Sequence, residues 1–221
     1  MVSLLDIIGP VMVGPSSSHT AGACRIGLFA RGLVSGQPES AKIELHGSFA
    51  RTGSGHGTDR AIVGGLLGFY PDDERLRESL ELAEKAGLAF SFVNSKLRGD
   101  HHPNTTRISV RRGDQEAVVT GSSLGAGRIL ITDIDGFAVE VTGAFPTLVF
   151  VAQDVPGIIS AVTTALARQG DNIATMKVSR RQKGGSAIHI YELDHGVNPG
   201  ALDEIRAIPA VSMIRSIPRI A

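Results

Sequence analysis

The sequence predicts an α+β chain in two domains, residues 1–145 and 146–221, each long enough to bury its own core. Three observations carry this reading. Apolar residues recur at helical spacing before Gly87. Between positions 90 and 141 they give way to short β-branched runs separated by Gly-Asp and Asp-Gly pairs. From Thr147 onward the order becomes strand, helix, strand, strand, helix, strand.

Residues 21–32 read as a helix of small side chains with Ile26, Leu28 and Phe29, closed by Gly32 and followed by the loop Ser35-Gly36-Gln37-Pro38. Residues 42–47 alternate Ile43 and Leu45 with Lys42, Glu44 and His46, as a half-buried strand does. Thr58 is the expected cap of a helix reaching about Gly68, with Ala61, Ile62, Leu66 and Phe69 along one face. Asp72-Asp73-Glu74 puts acids at the positive end of the next helix, which carries Leu76, Leu80 and Ala83 and ends at Gly87. Mostly antiparallel strands are expected at 105–110, 116–120 and 137–141, with hairpin turns at Arg112-Gly113-Asp114 and Asp135-Gly136.

In the second domain, strands fall at 147–152, 172–179, 186–192 and near 211–216. Helices follow Asp154-Val155-Pro156-Gly157 and begin at Pro199, Gly170 stops the first of them, and Lys183-Gly184-Gly185 joins the middle strands. This is a ferredoxin-like βαββαβ order. With Asp154-Val155-Pro156-Gly157-Ile158 before the first helix and Gly170-Asp171-Asn172-Ile173 before the second strand, the domain resembles the ACT domain, a small-molecule-sensing module. The resemblance implies an amino-acid effector site at Asp154, Gly157, Ile158, Asn172 and Ile173, and self-association through strand edges. Read without it, Asp154-Val155-Pro156-Gly157 turns the chain, with Asp154 capping the helix.

Composition excludes several function classes. The 221 residues carry 22 basic and 22 acidic side chains, a zero net charge that argues against a nucleic-acid or anionic-membrane surface, which needs an excess of basic charge. One cysteine, Cys24, excludes an internal disulfide, and equally a thiolate-bound zinc or iron–sulfur cluster held by this chain alone. Cys24 reads as a small buried residue. The opening residues hold Asp6, no Lys or Arg, and an interrupting Gly9-Pro10, unlike a signal or transit peptide, and no long apolar run follows. A cytoplasmic protein is expected.

Three segments concentrate reactive side chains. In Gly14-Pro15-Ser16-Ser17-Ser18-His19-Thr20-Ala21-Gly22-Ala23, three serines and an imidazole stand before a helix. They serve either as cap and loop, or, with the free N–H groups and the helix dipole, as a receptor for a carboxylate. Gly53-Ser54-Gly55-His56-Gly57-Thr58-Asp59 lies between a strand and a helix, a flexible turn or a loop that lets backbone approach a ligand beside His56. It lacks the Lys-Ser or Lys-Thr of a phosphate-binding loop and the glycine spacing of a dinucleotide fingerprint. Asp100-His101-His102-Pro103-Asn104-Thr105 precedes a strand. Convergence of His19, His56 and His101 or His102 on a zinc ion, as in a hydrolase acting alone, stays open here.

Together, Asp6-Ile7-Ile8-Gly9-Pro10 running into the serine-rich motif, the Gly53–Asp59 loop and His102-Pro103-Asn104-Thr105 resemble the beta chain of the two-chain, iron–sulfur-dependent L-serine dehydratases, with an ACT domain appended. The resemblance covers essentially the whole chain. It implies an L-serine ammonia-lyase that yields pyruvate and ammonia without pyridoxal phosphate, in serine catabolism that feeds gluconeogenesis. It further implies a partner alpha chain whose cysteines hold the 4Fe-4S cluster, and no metal on this chain. Elimination of water from serine needs a base for the Cα proton and a Lewis acid for the departing hydroxyl. The motif match assigns His19 and His56 to catalysis, and Ser16, Ser17, Ser18, Thr20, His102 and Asn104 to substrate binding. The N-terminal domain also resembles the sensing domains of some serine-pathway dehydrogenases, so the alternative is an amino-acid-sensing subunit with no direct catalytic role.

Overall fold

A computed structural model describes residues 10–220. The segment Asp6-Ile7-Ile8-Gly9 of the first motif lies outside them. The chain divides into two compact units, one comprising residues up to Gly136 with Glu140–Thr142, the other Phe137–Val139 with Gly143–Ile220.

The first unit holds five strands and the end of a sixth in one sheet, with helices α1 (Ala23–Leu33) and α3 (Thr58–Leu67) on it. Strands β1 (Ser40–Leu45), β2 (Ala89–Asn94), β3 (Thr105–Arg112), β4 (Gln115–Gly125), β5 (Arg128–Ile134) and β6 (Phe137–Val141) lie in the order β2-β1-β3-β4-β5-β6. β1 and β3 pair antiparallel, as do β3 and β4 and β4 and β5. β2 pairs parallel to β1, because the connection between them runs through α2 (Gly47–Thr52), α3 and α4 (Ser79–Lys85) and returns at the same end. β2 and β5 are absent from the strand set expected at 105–110, 116–120 and 137–141. Both turn signals hold: Gly113 has φ 55°, and Asp135 and Gly136 have φ 52° and 76°, the left-handed pair of a tight hairpin.

α1 is buried on nearly every side, including Ile26, Phe29 and Cys24, because β4 lies on one flank and α3 on the other. The α1–α3 crossing is set by two glycines. A Cβ on Gly27 would stand 2.3 Å from the Ile62 carbonyl oxygen, and one on Gly65 would stand 2.1 Å from that of Cys24. Backbone therefore lies on backbone, and no rotamer change can make room.

Two caps differ from expectation. Thr58 does not cap α3: the N-cap is Gly57 at φ 72°, and the buried Thr58 hydroxyl has no hydrogen-bond partner among the described residues. A left-handed residue was needed to turn from the short 3-10 segment Ser54–His56 into the helix, and glycine meets it without strain. The helix expected from Ala21 starts earlier, as a π-helix over Ser17–Gly22 capped by Ser16, whose Oγ accepts from the His19 N–H at 3.2 Å.

The second unit has the expected order: β7 (Thr147–Gln153), α5 (Ile158–Arg168), β8 (Ile173–Arg180), β9 (Ser186–Leu193), α6 (Pro199–Arg206), β10 (Val211–Ile217), with strands arranged β10-β7-β9-β8. Leu148, Phe150, Val162, Leu166, Tyr191 and Ile205 form its core. Asp154 does not cap α5, whose N-cap is Gly157. Its carboxylate reaches back to the β8–β9 hairpin, accepting from Gly184 N–H at 3.0 Å and Arg180 Nη1 at 2.6 Å.

Two predictions follow from these cores. Gly65→Ala adds a methyl where only backbone can yield, an overpacking cost of about 1–3 kcal/mol that outweighs the roughly 1 kcal/mol gain in helix propensity. Its urea midpoint should fall, and a rise would show that α1 and α3 part freely. His189, buried and stacked on Phe150 at 4.3 Å, has its pKa pushed down to about 4 by burial, against the weaker pull of Asp154. The unfolded chain takes up that proton near pH 6.5 and the folded one does not, so stability is present above that pH and lost as pH falls toward 4. The loss is on the order of 3 kcal/mol, and denaturation of His189→Phe should lack this slope.

Candidate active site

The two leading motifs meet. Thr20, in the π-helix that opens α1, donates through Oγ1 to the backbone carbonyl of His56 at 3.3 Å. The rings of His19 and His56 lie 5.0 Å apart between centroids and tilted by 37°. A close approach at Gly22 seats the π-helix on β4, since a Cβ there would stand 2.0 Å from Ser123 Oγ.

Around His19 the structure assembles hydroxyls. Ser16 Oγ stands 3.4 Å from Nδ1, while Ser48 Oγ and Thr52 Oγ1 both stand 3.2 Å from Nε2. Ser48 and Thr52 are one turn apart on α2, so both face the imidazole. Buried Phe49 meets the His19 ring edge-on at 5.3 Å. Each ring nitrogen thus has a partner that can both donate and accept. Burial, and then the neighbouring His56, hold the His19 pKa below its ordinary value.

His56 is arranged differently. Its Nδ1 lies 2.9 Å from the Thr52 carbonyl oxygen, which can only accept, so the neutral ring carries its proton on Nδ1 and a lone pair on Nε2. The exposed ring borders a cavity of about 450 Å³, also lined by Gly14, Thr20, Gly57, Arg60 and Arg77. Arg77 Nη2 is 3.3 Å from Glu74 Oε2, whereas Arg60 has no ion pair among the described residues. A half-open cavity with a basic imidazole, a hydroxyl and a guanidinium suits a small carboxylate whose proton is to be removed.

The third motif acts from behind. His102 Nδ1 accepts from Asn104 N–H at 3.1 Å, a local turn, and the Asn104 carbonyl receives Ser123 N–H at 2.9 Å. The Pro103 carbonyl accepts Ser48 N–H at 2.7 Å, so this segment holds α2, which in turn presents Ser48 and Thr52. His101 sits instead beside His46, ring centroids 6.0 Å apart. Among the described residues no cluster of three or more His, Cys, Asp or Glu side chains forms a metal site.

The donor set does not fit an iron–sulfur cluster either. Cys24 is fully buried, its thiol donates to the Phe69 carbonyl at 3.1 Å, and burial raises its pKa well above the ordinary thiol range. No described helix is long and apolar enough to cross a membrane.

Of the effector residues implied in the second unit, Ile158 is in the core, Asn172 Nδ2 donates to Asp194 Oδ2 at 2.7 Å, and Asp154 is held by Arg180 and Gly184. Ile173 packs partly against the core, and Gly157 begins α5.

The family model described as the serine dehydratase beta chain matches residues 3–133, and that of the ACT domain matches residues 147–210. This chain belongs to the serine dehydratase beta chain family. It is 41% identical over 216 residues to the probable L-serine dehydratase beta chain of Bacillus subtilis, spanning 97% of each chain. With the L-serine dehydratase beta chain of Peptoniphilus asaccharolyticus it shares 42% identity over 194 residues, 87% of each chain. With the D-3-phosphoglycerate dehydrogenase of Synechocystis it shares 28% over 199 residues, 84% of this chain and 34% of that one.

Ser48, Thr52 and Phe49, which contact His19, and Arg60, which lines the cavity, are candidate site residues that the motifs alone did not single out. Helical spacing would have found two of them, had the short stretch Gly47–Thr52 been read as a helix. A histidine titration by NMR should place His19 below its usual midpoint. In His56→Gln it should move up yet stay below that value, because burial is the larger cause. An unshifted His19 would contradict the packing described.

Proposed function

We propose that this chain is the beta subunit of an L-serine dehydratase, converting L-serine to pyruvate and ammonia at a site completed by an alpha chain that carries a 4Fe-4S cluster. The observation that carries this reading is the joining of His19 and His56 at 5.0 Å beside a cavity with Thr20 and Arg60. On this reading Arg60 takes the substrate carboxylate, with the neighbouring hydroxyls of Ser16, Ser17 and Ser18, while the Thr20 hydroxyl holds the His56 loop against the serine loop. His56 Nε2, free because Nδ1 is engaged, takes the Cα proton. His19, whose cation burial disfavours and whose ring Ser48 and Thr52 set, relays the proton taken by His56 to the departing hydroxyl, so that the Cα proton and the hydroxyl leave together as water. The resulting enamine tautomerises and hydrolyses to pyruvate and ammonia.

The reaction's other need, a Lewis acid for the hydroxyl, falls to the alpha chain, since Cys24 is buried and bonded. On this reading His102 and Asn104 support the site through Pro103 and α2. The ACT unit pairs with a second copy along edge strand β8, where Met176 and Val178 stand 46% and 43% exposed. The protein works in the cytoplasm, in keeping with its single cysteine.

The test is turnover of the anaerobically assembled two-chain complex. His56→Gln should lower kcat by about 100-fold or more while the complex still forms. Turnover near wild type would remove His56 as the base. A second reading, amino-acid sensing, has support in the alignment with the D-3-phosphoglycerate dehydrogenase of Synechocystis over 84% of this chain. Under it, Ser17→Ala and His19→Gln would shift the response to serine and spare the maximal rate.

A further inference from the structure

The segment after β2, which the two histidine loops leave unused, builds a second concave surface where β1 and β2 end. Two adjoining cavities of about 480 and 300 Å³ share Ser95, Lys96 and His101. Arg51 and His46 line the larger, Arg98 and Arg107 the smaller. The acid among their lining residues is Glu44, whose Oε1 lies 3.6 Å from Lys42 Nζ. Among the described residues, Arg51, Lys96, Arg98 and Arg107 have no ion pair. In a chain of zero net charge, four cations gathered around one concavity against a single lining acid, Glu44, the register partner of Arg107, leave a local excess of positive charge.

The cations stand on a tied segment. Ser95 N–H donates to the Leu45 carbonyl at 2.9 Å, Leu97 N–H to His46 Nδ1 at 3.2 Å, and His101 Nε2 to the Arg98 carbonyl at 2.9 Å. These three bonds fix the backbone that carries Lys96 and Arg98 before any ligand arrives, which lowers the ordering cost of binding. Because His46 Nδ1 accepts, its neutral ring bears the proton on Nε2, a further donor. Arg51 comes from α2, whose Gly47 and Ala50 also line the groove, while Ser48 and Thr52 on the same helix turn to His19.

We propose that this groove binds a small multivalent oxyanion, a phosphate ester or a polycarboxylate, through Arg51, Lys96, Arg98 and Arg107. The volumes are those of small-ligand sites, and the balanced charge elsewhere offers no extended track for a polyanion. Guanidinium groups take such oxyanions through paired, charge-assisted hydrogen bonds.

Calorimetric titration of the full chain with pyrophosphate and with citrate, at fixed ionic strength, tests this. Saturable binding of one anion per chain is expected, weakened about tenfold or more in Lys96→Gln/Arg98→Gln and in Arg107→Gln. These side chains are exposed, and circular dichroism checks that each variant folds. Arg60→Gln/Arg77→Gln, which strips the cations from the cavity beside His56, should bind as wild type does. No binding, heat reproduced by sodium chloride alone, or loss confined to the Arg60/Arg77 variant would overturn the proposal. So would groove variants that fail to join the alpha chain while the wild type ignores both anions, an outcome that assigns the surface to a protein partner.

Discussion

The candidate site depends on how closely α1 and α3 approach. His19 lies in the π-helix that feeds α1, and His56 lies in the 3-10 segment that feeds α3. Gly27 and Gly65 let the two helices meet backbone to backbone, so their N-terminal lead-ins are brought side by side. A larger residue at either position would push apart the two segments that the Thr20 to His56 hydrogen bond joins. Packing deep in the unit thus sets imidazole geometry at its edge, where tolerance for error is a fraction of an ångström.

The two histidines are not equivalent. His19 is half-buried among hydroxyls and an aromatic ring, an environment that disfavours its cation. His56 is exposed and anchored by a single carbonyl, which fixes the tautomer while leaving Nε2 to the cavity. One imidazole suited to sharing a proton with hydroxyls thus stands beside one suited to removing a proton. On the proposed function, the Lewis-acid chemistry falls to the alpha chain, because the one cysteine here, Cys24, is buried and bonded to the Phe69 carbonyl.

Much of this was legible in the sequence. The second unit was readable almost to the residue because each helix is bracketed by Gly or Pro and each strand is a short β-branched run. In the first unit β5 escaped notice since Thr132 and Asp133 interrupt its apolar run, and Thr58 looked like a cap because its type is right while the conformation needed belongs to Gly57. The motif residues were findable, but their surroundings were not: His102 and Asn104 read as substrate-binding residues, and the segment they flank bonds α2 through the Pro103 carbonyl. Contacts such as Ser48 and Thr52 on His19 bridge 29 and 33 positions, and no local pattern encodes them.

On the proposed function, His19 and His56 face the reacting serine. The most direct measurement is a structure of the anaerobic two-chain complex with L-serine bound. The account predicts His56 Nε2 within about 3.5 Å of the substrate's Cα hydrogen side, with Arg60 toward the carboxylate. Serine bound only away from both imidazoles, in the ACT unit or wholly within the alpha chain, would contradict it.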